Sequence, residues 1–203
     1  MDARSAMQWI VTILVVVVGV SFPVFAGQVS IYGGDFNTPL LDPIGPGSSL
    51  TEVIIEVPDD FIVSDLDVRI SITHTNVFDL QIFLQSPAGT RICLNMYNLR
   101  EFFEAANYTR TIFDDEAQLS IEQAEPPFTG RFRPRAIDPR NLLDIFDRES
   151  VYGPWRLQIY DMWPVDTGTL DSFELVITAP EPATAILLLL GTALITLLNP
   201  RRT

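Results

Sequence analysis

His74 is the only histidine of this chain, Cys93 its only cysteine, and lysine is absent. Side chains able to attack a substrate, shuttle protons or bind soft metals are therefore few. Hydrolysis by a Ser/His/Asp set needs an imidazole beside an activated serine, with a carboxylate to orient it. No Gly-x-Ser-x-Gly or Gly-Thr-Ser segment supplies that serine. His74 ends an alternating apolar run, where a ring hydrogen-bonded at the edge of the fold is the expected role. Cys93 lies in TRICLNM between Ile92 and Leu94 and reads as a strand residue. It has no partner for an intramolecular disulfide, and one Cys with one His excludes a Cys/His zinc site by count.

Carboxylates are the plentiful functional group. FDDEA supplies Asp114, Asp115 and Glu116 in succession. A glycosidase needs two carboxylates at a defined separation across a sugar bond, and the sequence places no such pair. Ca²⁺ takes six to eight oxygens from carboxylates and loop carbonyls, so Asp79, Asp114, Asp115, Asp161 and Asp166, all at strand ends or in turns, are candidate ligands of a structural Ca²⁺. Turn-capping by the same aspartates is the other reading. Tyr108, Tyr152 and Trp163 are candidates to stack on sugar rings or protein side chains, with core or edge packing as the alternative.

The elements that must position these residues alternate with period two. SDLDVRISIT turns Leu66, Val68, Ile70 and Ile72 one way. DLQIFLQ does the same with Leu80, Ile82 and Leu84, WRLQIYD with Trp155, Leu157 and Ile159, and SFELVIT with Phe173, Leu175 and Ile177. Such segments are half-buried strands. Turn signals at 42–49, 86–90, 151–154 and 165–169 separate them, and many short strands without βα alternation predict an antiparallel β-sandwich. NLREFFEAAN (98–107) reads as a helical turn or two, and the four-proline stretch 122–140 as an irregular loop.

Both ends read as addresses rather than fold. Arg4, the apolar run Trp9–Val20 and SFPVFAG make the three-part pattern of a secretory signal, 1–26, cut by signal peptidase between Ala26 and Gly27; an uncleaved anchor helix is the alternative. Residues 27–49 lead into a domain at 50–178. At the other end, 179–203 contain Pro180, Glu181 and Pro182, then a sixteen-residue apolar run at 183–198, then Arg201 and Arg202. As a helix that run spans about 24 Å against roughly 30 Å of hydrocarbon, which suits a temporary transmembrane helix with its arginines on the cytoplasmic side. Between the two ends, over 27–178, ten arginines face 24 acidic residues and leave a charge of −14. A surface this acidic repels phosphate backbones, so nucleic acid is excluded as a partner.

The stretch ITHTNVFDLQIFLQSPAGTRICL (72–94) resembles the P domain, or Homo B domain, of proprotein convertases and bacterial subtilisin-like proteases. His74, Asp79, Leu80, Ser86, Pro87, Gly89 and Thr90 stand at that family's positions. IFDDEAQLS, PFTGRFRP and GPWRLQIYDMWPVDTGTLDSFELVIT continue the likeness in order over roughly 50–178. Phe78, where a Gly often stands, Phe173, where the last strand usually has Trp, and a longer, more aromatic 95–110 depart from it. The resemblance implies a jelly-roll sandwich with no catalytic residues of its own, FDDEA serving the fold, and an association with subtilisin-like serine endopeptidases. The C-terminal arrangement resembles the PEP-CTERM sorting signal of Gram-negative bacteria that make extracellular polysaccharide. By that likeness the chain is exported, held transiently at the inner membrane, cut near Pro180–Pro182 by an exosortase-type enzyme and released to the envelope or matrix. Extracellular polysaccharide or a subtilisin-like protease is then the expected partner.

Overall fold

The structure, a computed structural model, describes residues 27–97, 105–135 and 142–180. They form nine strands: β1 Val29–Pro39, β2 Ser49–Val57, β3 Asp65–His74, β4 Leu80–Gln85, β5 Arg91–Asn95, β6 Tyr108–Phe113, β7 Phe128–Phe132, β8 Gly153–Asp161 and β9 Gly168–Thr178. Two sheets result, one ordered β1-β9-β3-β6-β7 and the other β2-β8-β4-β5. This is the expected all-β two-sheet architecture.

Alternation decides which face of each strand is buried. In β3, Leu66, Val68, Ile70 and Ile72 are buried while the residues between them stay partly or fully exposed. Leu80, Ile82 and Leu84 of β4, Trp155, Leu157 and Ile159 of β8, and Leu170, Phe173, Leu175 and Ile177 of β9 meet them in one core. Each such side chain contributes about 1.5–3 kcal/mol by leaving water. Trp155 is its largest member; its indole N–H donates to the Val151 carbonyl at 2.9 Å and its ring meets Phe146 edge-on at 5.2 Å. The buried apolar residues described all lie between Leu40 and Ile177, so the span 27–180 carries a core of its own.

Two expectations are corrected. The stretch 122–140 is not wholly irregular: Phe128–Phe132 forms β7, which bonds alongside β6 in parallel, so the sandwich is not purely antiparallel. The lead-in 27–49 contains β1, which pairs with β9 along nearly its whole length and closes one edge of the larger sheet. The signal segment 1–26, residues 98–104 of the helical reading and the apolar run 183–198 lie outside the described residues. Among the described residues the only helices are 3₁₀ turns of three or four residues, and none is long and apolar enough to cross a membrane.

Strand direction gives the sandwich two poles. At one, Val29 faces Thr178, Asp65 faces Thr178, and the Ala179 N–H donates to Gln28 O at 2.9 Å; both ends of the described span leave from here. At the other, His74 faces Gly168, Thr169 faces Pro39, and Asp161 faces both Ser49 and Leu80. We call them the terminal pole and the loop pole.

Candidate functional site

The loop pole gathers the polar residues. β3 ends on His74, a 3₁₀ turn at Val77–Asp79 follows, and β8 ends on Asp161 before the loop that delivers Asp166. Asn76 caps the turn, accepting from the Phe78 N–H at 3.3 Å and donating from Nδ2 to Asp79 Oδ1 at 3.0 Å. His74 is buried, with Nδ1 against the Asn76 backbone and Nε2 3.4 Å from Asp161 Oδ2. An Nε2–H ring donates to Asp161 and accepts the Asn76 N–H at 3.1 Å. Gly168 permits this fit, because a Cβ there would overlap the imidazole and lie 2.5 Å from the Thr73 carbonyl. Asp161 Oδ1 also accepts from the Trp163 N–H at 3.2 Å, and Thr75 Oγ1 donates to Asp166 Oδ1 at 2.6 Å. Burial, then the neighbouring charges of Asp166 and Asp161, push the Asp79 carboxyl up to about 7.

A second acidic group lies toward the terminal pole. Asp114 follows β6, and Arg131 of β7 reaches it with Nε at 2.5 Å while Nη2 reaches Asp67 at 2.6 Å. Burial works against the Asp114 charge, but hydrogen bonds from Glu116 and Arg131 outweigh it and hold Asp114 below the usual carboxylate range. Glu116, hydrogen-bonded to Asp114 and partly desolvated, is pushed up to about 7. Asp115 accepts the Asp144 N–H at 2.8 Å, and burial raises its pKa.

The five aspartates that the sequence offers for Ca²⁺ thus fall into two sets at opposite poles. Asp79, Asp161 and Asp166 surround the His74 end, while Asp114 meets the Arg131 guanidinium and Asp115 accepts from the Asp144 backbone. Among the described residues no three His, Cys, Asp or Glu side chains stand together so as to hold a metal ion. Cys93 is buried, and desolvation pushes its thiol up to about 11, far from a nucleophile's range. His74 turns its ring toward a carboxylate and backbone, so the arrangement is a turn-fixing network.

The profile of the proprotein convertase P domain matches residues 63–177. The chain belongs to that family. The P domain is a non-catalytic accessory domain in proprotein convertases. Among solved structures, the serine protease of Aeromonas sobria is similar at 21% identity and a TM-score of 0.43, over 78% of this chain and 27% of that one. The complex of that serine protease with a chaperone matches at 20% identity and a TM-score of 0.42, over 77% of this chain and 28% of that one. This chain therefore spans little more than a quarter of the length of either match. No curated protein matches it.

Within this P domain the aromatic candidates separate. Tyr108 is not available for stacking: it is buried against Phe128 at 5.1 Å, and its hydroxyl accepts from Asn95 Nδ2 at 2.7 Å. Tyr152 and Trp163 are exposed. Phe173 fills the core beside Phe36, and Phe78 is also buried. Sequence reasoning missed the cap Asn76, whose signal was its place three residues before Asp79, and the exposed apolar residues Leu41, Ile44 and Val165. Of the sorting residues, Pro180 is exposed at the end of the described span, and Gly27 is half-buried beside Ala179 at its start. Ala26, Glu181, Pro182, Arg201 and Arg202 lie outside the described residues.

Proposed function

We propose that this chain is an exported, non-catalytic P-domain module that binds or scaffolds in the outer envelope or polysaccharide matrix of a Gram-negative bacterium. Signal peptidase cuts before Gly27, and an exosortase-type enzyme cuts near Pro180–Pro182. The observation that carries the non-catalytic reading is His74: the one imidazole of the chain is buried and engaged by Asn76 and Asp161. The sorting reading rests on the order Pro180-Glu181-Pro182, apolar run, Arg201-Arg202. Intact mass of the mature protein tests it: a species ending near residue 181 is expected, and one that retains 183–203 sinks the sorting reading.

Family membership favours a second reading, in which the module acts in trans on a separate subtilisin-like serine endopeptidase. Affinity capture from envelope and matrix fractions, with residues 27–180 as bait, separates the two. Enriched polysaccharide supports the matrix role, and an enriched subtilisin-like protease supports the accessory role.

A further inference from the structure

We propose that the tip of the loop pole, around Trp163, is a docking surface for a protein partner that presents an apolar centre ringed by basic side chains. This rests on the reading that the module works by binding.

Four apolar side chains project into solvent there. Ile44 is fully exposed at 104%, Val165 is 86% exposed, Leu41 58% and Trp163 49%. They come from two loops joined to each other: Asp42 Oδ2 accepts the Val165 N–H at 3.3 Å, and the Leu40 N–H donates to Gly168 O at 2.9 Å. Exposed apolar groups gathered at one place mark interaction sites far more often than scattered ones do. Val165 sharpens the point. Its φ is +97°, a conformation that costs a β-branched residue appreciable strain. Strain of that kind is usually recovered by burying the side chain, yet here the isopropyl group faces water.

Charge selects the partner. The described segments forming this pole, 40–50, 75–81, 105–107 and 161–168, contain no arginine; Asp42 and Asp166 stand partly exposed beside the apolar side chains, while Asp79 and Asp161 are buried. An apolar centre with an acidic surround is complemented by an apolar centre with a basic surround. The same acidity opposes a second copy of this pole and an anionic lipid surface. Lipid is disfavoured again by position, since residues 28 and 179, which lead toward the two apolar runs of the sequence, meet at the opposite pole. Sugar recognition would draw on several aromatic faces and convergent polar groups, whereas three of these four side chains are aliphatic.

The test uses residues 27–180, in which Trp155 is buried and Trp163 is the exposed tryptophan. The probe is a tryptophan-free peptide with a leucine-rich centre and arginine flanks, followed by the emission of Trp163. A saturable blue shift is expected, with affinity falling as salt rises and no response to the same peptide carrying glutamate flanks. Val165→Asp and Ile44→Asp should each weaken binding at least tenfold. Both add negative charge, so a purely coulombic association would tighten instead, and tightened or unchanged binding overturns the proposal. Ile44→Asp keeps the test valid if Val165→Asp folds poorly, because Ile44 touches no core. No response to the arginine peptide, an equal shift with phosphatidylcholine/phosphatidylglycerol vesicles, or a concentration-dependent shift without probe also overturns it. If both variants still capture the wild-type material from the envelope fractions, this surface is wrong while the binding reading stands.

Discussion

Asp79 shows how a single carboxyl ties the loop pole to pH. Its pKa in the folded protein is about 7, raised by burial and by Asp166 and Asp161, against about 3.9 in an unfolded chain. The native state therefore holds an extra proton between those values, and this group's contribution to stability is complete below about pH 4 and lost as pH rises through about 7. Asp79→Asn keeps an acceptor for Asn76 and removes a charge beside two others. It should leave stability near pH 4 almost unchanged and raise it at pH 8 by on the order of 1–2 kcal/mol. Urea midpoints at the two pH values check this, and an equal effect at both would show that the neighbouring carboxylates do not burden Asp79. His74 and Asp79 were legible in the sequence as structural and acidic residues. Their contact with Asp161 and Asp166 was not, because it joins segments more than 80 residues apart. Tyr108 takes the packing role that its type favoured, although β6 by itself does not show it, because burial there does not alternate and polar neighbours surround it.

At the scale of elements, strict alternation is what made a strand readable. β3, β4 and β8 carry it, β9 follows it less strictly because Val176 is buried between Leu175 and Ile177, and each lies where period two placed it. β1 hid because its centre is Gly33-Gly34, and β7 hid because only five residues separate two proline-rich stretches. Both are edge strands of the larger sheet, with a neighbour on one side only, where register comes from pairing more than from a buried stripe. Gly33 is where β1 depends on its residue type. Its φ is +107°, and a Cβ would strike the Phe173 carbonyl and stand 2.8 Å from Ile55 Cδ1. Gly33→Val should therefore cost about 2–4 kcal/mol, read as a lowered denaturation midpoint, with β1 amides exchanging faster than those of β4. A loss below about 0.5 kcal/mol, the range of an ordinary surface change, would mean that β1 is not held against β9 as described.

Across the whole molecule the acidic groups share one field. The 203 residues carry a formal charge of −13, and the arginines that offset it are unevenly placed: Arg131 meets Asp67 and Asp114, whereas the described segments 40–50, 75–81, 105–107 and 161–168 of the loop pole have none. Asp79 and Glu116 both hold protons up to about pH 7. Both therefore shift the stability maximum to mildly acidic pH, with stability falling as pH rises through about 7. Asp114, held below its ordinary value, acts in the opposite sense: its contribution is present above about pH 4 and lost as pH falls through its folded value. The expected profile of melting temperature is a maximum between roughly pH 4 and 6, bounded by Asp114 on the acid side and by Asp79 and Glu116 on the other. Salt separates this account from any local one. Raising ionic strength from about 0.02 M to about 0.5 M shortens the Debye length from roughly 20 Å to roughly 4 Å and screens repulsion among carboxylates. At pH 8 the melting temperature should rise by about 2–5 °C, and by less at pH 5, where two of the crowded carboxyls are already neutral. A fall with salt at pH 8 would mean that the Arg131 pairs, not the unpaired carboxylates, dominate the electrostatics. Part of the field that costs the free domain stability at pH 8 comes from the loop pole, where Asp79, Asp161 and Asp166 crowd together. A basic partner seated there would therefore be drawn in by the same charges that its arrival relieves.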